Sequence, residues 1–151
     1  MFFRGSYNLN VDTKGRLAVP KKFRDYLDQE HNSTLVIALD LTAKCLALYP
    51  YHDWRALENQ IMALPNANHA VRNLQRIFVG RAVEQVMDAQ GRILMSKEQL
   101  SYAQILKESV LVGQGKKLEL WDKNAWEATC SDILQEIDLP AMSEMLGDLS
   151  F

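Results

Sequence analysis

A short motif that could bind phosphate groups occurs twice in the chain. Asp12-Thr13-Lys14-Gly15-Arg16 recurs in the second half as Asp88-Ala89-Gln90-Gly91-Arg92. Arginine offers a planar fork that fits a phosphate group or the O6/N7 edge of guanine, and lysine adds a point charge. The glycine before each arginine lets a ligand approach the backbone closely. The same residues leave a second interpretation open, in which each arginine pairs with the aspartate of its own motif.

The residues around each motif predict a hairpin with the motif at its tip. Polar and apolar side chains alternate over residues 7–11 and 82–87, which is typical of a half-buried strand. Short apolar strands are predicted after the motifs, over residues 16–19 and 92–95. Aspartate at the first turn position and glycine at the fourth favour a type I turn. The predicted turn-forming residues are Asp12, Gly15, Asp88 and Gly91.

A helix is predicted directly after each hairpin. Pro20 suits the beginning of the first helix, and three basic residues follow it: Lys21, Lys22 and Arg24. The second helix should begin at the capping box Ser96-Lys97-Glu98-Gln99. We therefore expect each hairpin tip to lie beside the start of its own helix, with the first copy carrying more positive charge than the second.

Further matches extend the repeat over most of the chain. Leu46-Ala47-Leu48-Tyr49 corresponds to Leu118-Glu119-Leu120-Trp121, and Trp54 corresponds to Trp126 at the same separation. Matches in the same order with one small gap indicate two copies of one module. The expected division is a first module at residues 1–55, a linking helical segment at 56–80, a second module at 81–130 and an acidic C-terminal helix or tail at 131–151.

Length and composition favour a globular protein of the cytoplasm. The chain has 151 residues, of which 48% are hydrophobic and 24% are charged. We find no apolar run of the roughly 18 residues that a membrane span needs, and the first residues do not resemble a secretory signal. Cys45 and Cys130 lack the spacing of a disulfide framework or metal site, so both are interpreted as small apolar side chains.

The charges are unevenly distributed although the net charge is only −2. Residues 1–24 contain six basic side chains and one acid, whereas residues 119–151 contain eight acids and one lysine. This asymmetry suggests a basic contact face at one end and a solvated acidic face at the other. In the linking segment, Arg72 and Arg76 are interpreted as a solvated face, and the alternative is that they join the DNA-binding surface.

No set of residues typical of an enzyme is found. The chain has no nucleophile elbow, zinc-protease motif, Walker loop or dinucleotide-binding glycine motif. Three histidines, His31, His52 and His69, are scattered without ligand spacing and are expected at the surface. Gly113-Gln114-Gly115-Lys116 lies between two predicted strands, so a hairpin turn explains it better than a phosphate loop. We expect no catalysis, no metal, no cofactor and no small-molecule substrate.

The motifs resemble those of the MraZ family. The resemblance is carried by the opening Phe3-Arg4-Gly5-Ser6, the string from Asp12 to Pro20 with its degenerate copy, and the segments around Leu46–Trp54 and Val110–Asp122. It implies an α+β fold of two tandem AbrB-like swapped-hairpin modules with flanking helices, which form a pseudo-twofold, β-barrel-like unit. It also implies ring-like homo-oligomers, association with the nucleoid, and binding to direct repeats upstream of the division and cell-wall gene cluster, including the regulator's own promoter.

Motif and resemblance together predict a sequence-specific, double-stranded-DNA-binding transcriptional regulator that acts as a repressor. The expected DNA-binding residues are Arg4, Thr13, Lys14, Gly15, Arg16, Lys21, Lys22 and, more weakly from the second copy, Arg92. Arg16 is the candidate for base reading, and the lysines and Arg4 would position the phosphate backbone. Arg24 is a weaker candidate for the same role, because its place on the helix can also turn it away from the duplex. The alternatives are an antitoxin-like protein or a scaffolding oligomer, in which the hairpin loops contact protein.

Overall fold

The computed structural model describes all 151 residues as a mixed structure of strands and helices. There are eight strands: β1 (Ser6–Asn10), β2 (Arg16–Ala18), β3 (Thr34–Leu39), β4 (Leu46–Pro50), β5 (Val83–Val86), β6 (Arg92–Leu94), β7 (Glu108–Gln114) and β8 (Lys117–Asp122). There are six α-helices: α1 (Lys21–His31), α2 (Tyr51–Met62), α3 (His69–Leu74), α4 (Lys97–Tyr102), α5 (Lys123–Glu136) and α6 (Ser143–Leu146). A π-helical turn, Gln75–Val79, continues α3. The predicted α+β class is confirmed.

Six strands form one sheet in which the two halves of the chain interlock. The strand order is β1-β7-β8-β4-β3-β5, and every neighbouring pair is antiparallel. In the repeat, β1, β3 and β4 of the first half correspond to β5, β7 and β8 of the second. If each strand is replaced by its counterpart, the same order is obtained, read from the opposite edge of the sheet. Ala47 lies opposite Glu119 at the centre, and these are equivalent positions of the repeat. The sheet therefore has a pseudo-twofold relation that runs between β4 and β8.

The strands that flank each motif do not pair with each other, so the predicted hairpins are wrong. β1 pairs with β7 and β5 pairs with β3, while β2 and β6 pair only with one another in a separate two-stranded sheet. Each motif thus links a strand of the large sheet to a strand of the small one. The physical reason is that period-two alternation specifies which face of a strand is buried but not which strand is its partner.

The six-stranded sheet is open, with β1 and β5 at its two edges. The expected closed, barrel-like unit is therefore not present, because β2 and β6 make a sheet of their own instead of bridging these edges. The largest hydrophobic core has 19 buried residues drawn from both halves. Its small-sheet members are Leu17 and Ile93, which lie opposite each other in the β2–β6 pair. Neither half could assemble this core without the other.

The helices cover the sheets through apolar side chains. Phe23 of α1 packs edge-on against Phe3 and Tyr7, and Trp54 of α2 packs against Phe78 of the π-helical turn. The predicted capping box at Ser96 is present, and residues 69–79 before β5 are helical. None of the helices has the length and apolar character needed to cross a bilayer.

His31, expected at the surface, is buried at the end of α1. Its Nδ1 accepts the backbone N–H of His52 at 3.3 Å, and its Nε2 is 3.0 Å from the hydroxyl of Tyr26. The Nδ1 contact requires a neutral ring with its proton on Nε2, because a protonated Nδ1 would face another donor. Burial lowers the pKa of His31 below its ordinary value of 6.5, and nearby Asp53 partly opposes this shift.

This geometry predicts that stability falls on mild acidification. Below pH 6.5 the unfolded chain takes up a proton at His31 more readily than the folded chain, so the free energy of unfolding decreases as the pH falls. Urea unfolding from pH 7 to pH 5 should show a shallower decrease for His31→Gln than for the native chain. The matched control is His69→Gln, which removes an exposed histidine and leaves the contact between His31 and His52 in place. Equal slopes for all three proteins would contradict the assignment.

Candidate nucleic-acid interface

Each repeated motif forms a tight turn that is held by its aspartate. Asp12 Oδ1 accepts the backbone N–H groups of Lys14 and Arg16, both at 2.9 Å, and the carbonyl of Asp12 accepts the N–H of Gly15 at 3.0 Å. Gly15 has a φ of +84°, which glycine adopts without strain. The turn is therefore made by the Asp12 side chain and by glycine at position 15, because its other donors are backbone N–H groups.

The second turn repeats the first contact by contact. Asp88 Oδ1 accepts the N–H groups of Gln90 and Arg92 at 2.9 Å, and its carbonyl accepts the N–H of Gly91 at 2.9 Å. Gly91 has a φ of +73°. The four predicted turn-forming positions therefore lie in two equivalent turns.

The arginine of each turn pairs with its own aspartate, as in the second interpretation of the motif. Arg16 Nε donates to Asp12 Oδ2 at 2.7 Å, and Arg92 Nε donates to Asp88 Oδ2 at 2.8 Å. The pairing uses one edge of the guanidinium and fixes its orientation. The two Nη atoms of Arg16 form no hydrogen bond within the chain, whereas one Nη of Arg92 donates to the Gln90 side chain at 3.2 Å. The two Nη atoms of Arg16 are thus available to donate hydrogen bonds to a ligand.

Both turn aspartates are held ionised. The backbone N–H of Arg16 lowers the pKa of Asp12 below its ordinary 3.8, with the Arg16 side chain and the Lys14 N–H adding to the effect against a desolvation cost. The pKa of Asp88 is lowered in the same way, first by the backbone N–H of Arg92. The first turn therefore carries two positive charges, on Lys14 and Arg16, against one negative charge.

Pairing of β2 with β6 brings the two turn arginines together. Arg16 lies opposite Leu94, and Arg92 lies opposite Ala18, two residues along the pair. All four side chains point away from the core, whereas Leu17 and Ile93 point into it. Diagonal neighbours of this kind in an antiparallel pair are about 7–8 Å apart. Two arginines from opposite halves of the sequence thus share one solvent-facing surface.

The other predicted binding residues are only partly gathered at this surface. Thr13 and Lys14 are exposed in the first turn. Arg4 is exposed at the opposite end of β1 from that turn, beside the Phe3–Gly115 bridge, and it forms no hydrogen bond or ion pair with either turn. The structure therefore does not group Arg4 with Arg16.

The predicted pairing of each turn with its own helix start is wrong. The N–H of Val19 donates to the carbonyl of Gly91 at 2.9 Å, and Arg24 Nη1 donates to the carbonyl of Gln90 at 3.1 Å. The basic start of α1 therefore lies beside the second turn, because β2 is paired with β6. Lys21 is exposed there and pairs with Asp25 at 2.9 Å, and Lys22 is exposed without an ion pair. Sequence patterns missed this placement of Arg24.

A second cluster of charged residues lies elsewhere and is structural. The ligand atoms of Asp40, Cys45 and Glu119 lie within 4.8 Å of one another. Lys117 Nζ is 3.0 Å from Asp40 Oδ2 and 3.3 Å from Glu119 Oε1, so an ammonium group already neutralises the two carboxylates. Burial raises the pKa of the Cys45 thiol, so the thiol adds no negative charge to the cluster at neutral pH. This arrangement is a partly buried ion-pair cluster in which Asp40 is the most buried member.

Comparison with known proteins agrees with the twofold organisation. The sequence model of the family described as "MraZ protein, putative antitoxin-like" matches the chain twice, at residues 2–77 and 78–146. The chain is 39% identical over 150 residues to the transcriptional regulator MraZ of Hydrogenovibrio crunogenus, covering 99% of both chains. It is 40% identical over 148 residues to that of Pseudomonas putida strain F1 (97% and 98% covered), and 45% identical over 149 residues to that of Thioalkalivibrio sulfidiphilus (98% and 99%). With two matches to the family model and relatives of this similarity along its length, the chain belongs to the MraZ family.

Proposed function

We propose that the chain is a DNA-binding transcriptional regulator that reads duplex DNA with the surface shared by Arg16 and Arg92. The observation that carries this proposal is the pair of oriented arginines on the exposed face of β2–β6. The relatives' name, transcriptional regulator MraZ, supports the regulatory role. The proposed contact residues at this surface are Thr13, Lys14, Gly15, Arg16, Lys21, Lys22 and Arg92.

The proposed mechanism divides reading from positioning. The free Nη edge of Arg16 fits the O6/N7 edge of guanine, while Lys14, Lys21 and Lys22 bind phosphates. Phosphate contacts supply affinity that depends on salt, and base contacts supply selectivity. Bound to direct repeats upstream of the division and cell-wall gene cluster, including its own promoter, the protein would exclude polymerase and repress transcription. Such a regulator would be found at the nucleoid.

We further propose that the two halves form tandem swapped-hairpin modules, at residues 1–55 and 81–130, with a linking segment at 56–80 and an acidic tail at 131–151. The exchange of partners between β2 and β6 supports this arrangement, as does the reversal of strand order across the pseudo-twofold relation. The two family matches, which meet between residues 77 and 78, support a duplicated origin.

We also propose that the chain forms homo-oligomers through its C-terminal segment. Residues 132–151 contain five acids and no basic residue, and their most exposed large apolar side chains are Leu134, Met145, Leu149 and Phe151. A groove between α2 and α3 offers the complement, since Met62 and Val79 line it with Arg72 and Arg76, neither of which forms an ion pair. The segment of one subunit would occupy the groove of the next, and head-to-tail contacts of this kind form a ring where the rotation between subunits closes.

The oligomer prediction is tested by light scattering of the purified full-length chain. The native protein should have the mass of several subunits, because the apolar segment is covered only by another copy. Arg72→Glu combined with Arg76→Glu should lower that mass, since the groove would then repel the acidic segment. A monomeric native protein, or an unchanged mass in the double variant, would overturn the arrangement.

Binding to labelled duplex DNA from upstream of the chain's own gene tests the regulatory function. Affinity should exceed that for a scrambled duplex and should fall steeply as salt rises, because phosphate contacts release counterions. Weak and equal binding to both duplexes would rule out sequence-specific regulation. The family description "putative antitoxin-like" and the exposed apolar C-terminal segment favour a protein partner as the alternative function. Salt-insensitive association with a protein would support that alternative.

A further inference from the structure

Arg24 reaches from α1 in the first half of the chain to the second turn. Its Nη1 donates to the carbonyl of Gln90 at 3.1 Å. A Cβ placed on Gly91 would clash with Arg24 Cδ, so the backbone of the turn rests directly on the aliphatic part of this side chain. Gly91 is therefore needed to admit Arg24 as well as to adopt its positive φ. The second turn is built against Arg24.

The equivalent position at the first turn holds a leucine. Leu100 follows Arg92 at the same spacing as Arg24 follows Arg16, and its Cδ1 lies 3.6 Å from the place of a Cβ on Gly15. An apolar side chain thus supports the first turn where a guanidinium supports the second. At the tips of the turns the charge difference is reversed. The first turn has the charged Lys14 where the second has the neutral Gln90. Lys14 and Arg16 at the first turn thus correspond in charge to Arg24 and Arg92 at the second, each pair beside one aspartate. Lys21, which also lies beside the second turn, is neutralised by Asp25.

Support of the turn alone does not account for an arginine at position 24. Arg24 Nε is buried without a hydrogen-bond partner, which carries a desolvation penalty that leucine avoids. Of the acids of its own helix, Asp25 is engaged by Lys21 and Asp28 accepts the hydroxyl of Ser33, and Arg24 forms no ion pair. Its Nη2 forms no hydrogen bond within the chain. The positive charge of Arg24 is therefore not neutralised by a direct carboxylate partner.

We propose that Arg24 is a DNA-contacting residue of the second turn, where it replaces the charge that Lys14 supplies to the first. Nη1 anchors the guanidinium to the turn, and Nη2 is directed to a phosphate of the bound duplex. The inference rests on the proposed DNA-binding function and extends it, because it makes both turns contribute equal charge. Both halves of the chain then contribute phosphate contacts to the bound duplex.

A charge-transfer experiment between the two positions tests this role. Binding to the upstream duplex is measured over a salt series for the native chain, Arg24→Leu and the double variant Arg24→Leu/Gln90→Lys. Loss of one phosphate contact should weaken binding about tenfold and make the log–log salt dependence shallower by about one unit. The double variant recreates the Lys–Leu arrangement of the first turn within the second turn. It should recover the affinity and the salt slope, which a purely structural role for Arg24 would not allow.

The outcomes separate this inference from the function it rests on. Native affinity and slope in Arg24→Leu, or a double variant no better than Arg24→Leu, would overturn the role of Arg24 while leaving DNA binding intact. Failure of the native chain to bind the duplex would remove the proposed function and the inference with it. If Arg24→Leu does not fold, Arg24→Gln replaces it, because glutamine keeps a donor for the Gln90 carbonyl but carries no charge.

Discussion

Arg16→Ala is expected to abolish the preference for the upstream duplex over a scrambled one. A guanidinium that bonds two acceptors of a guanine contributes about 1–3 kcal/mol of discrimination, and alanine offers no replacement. The substitution also leaves Asp12 without its 2.7 Å partner, so a carboxylate whose pKa is already lowered would face the phosphates. Direct titration of labelled DNA with the purified variant measures both effects.

Two further variants separate charge from geometry at this position. Arg16→Lys keeps the charge but loses the planar fork, so the salt dependence should persist while the selectivity is lost. Arg55→Ala is the matched control, because Arg55 pairs with Glu58 within α2 at 2.7 Å and does not belong to either turn. It should bind as the native chain does. Native selectivity in Arg16→Ala would show that the free Nη edge does not read bases.

Lys117→Met is expected to destabilise the fold by about 3 kcal/mol, the lower part of the range for removing one partner of a buried ion pair. Lys117 Nζ is 3.0 Å from Asp40 Oδ2, and Asp40 is only 4% exposed. Without the ammonium group, the charges of Asp40 and Glu119 would repel each other inside the protein. Thermal and urea unfolding should both register the loss.

The pH dependence of this loss checks its cause. Burial would raise the pKa of Asp40, but hydrogen bonds from Thr42 and Lys117 outweigh it and hold that pKa below 3.8 in the native chain. In Lys117→Met the pKa of Asp40 should rise, so the carboxyl becomes protonated on mild acidification and the difference from the native chain shrinks. Lys116→Met, at an exposed neighbour without an ion pair, should leave stability unchanged. A loss that does not vary with pH would point to packing instead of charge.

Local features of the site could be predicted from sequence because their causes are local. Asp12 and Gly15 determine the first turn through contacts between near neighbours in the chain, and the capping box at Ser96 acts over a similarly short span. Strand partners are different, because alternation over residues 7–11 gives a buried face but leaves the partner open. The pairing of Leu17 with Ile93 depends on the whole core, so it was not accessible from a window of sequence.

The errors about the site follow from not knowing that β2 pairs with β6. Once β2 is taken to pair within its own motif, Arg24 and Lys21 are placed beside the first turn, whereas the structure places them beside the second. The surface position expected for His31 failed for a related reason, since the N–H of His52 that it accepts comes from another helix. Contacts between distant segments decide both cases.

The unequal turns give the paired surface a direction. A dimer with strict twofold symmetry presents the same side chains to both halves of a site and is suited to palindromic DNA. Here the backbone of β2 and β6 keeps the twofold relation, yet Lys14 is exchanged for Gln90 and Arg24 for Leu100 across it. Rotating the chain by half a turn on a duplex therefore produces a chemically different contact. Such a surface would bind a duplex in one preferred direction. This property suits DNA repeats that all have the same orientation and gives no advantage on an inverted pair.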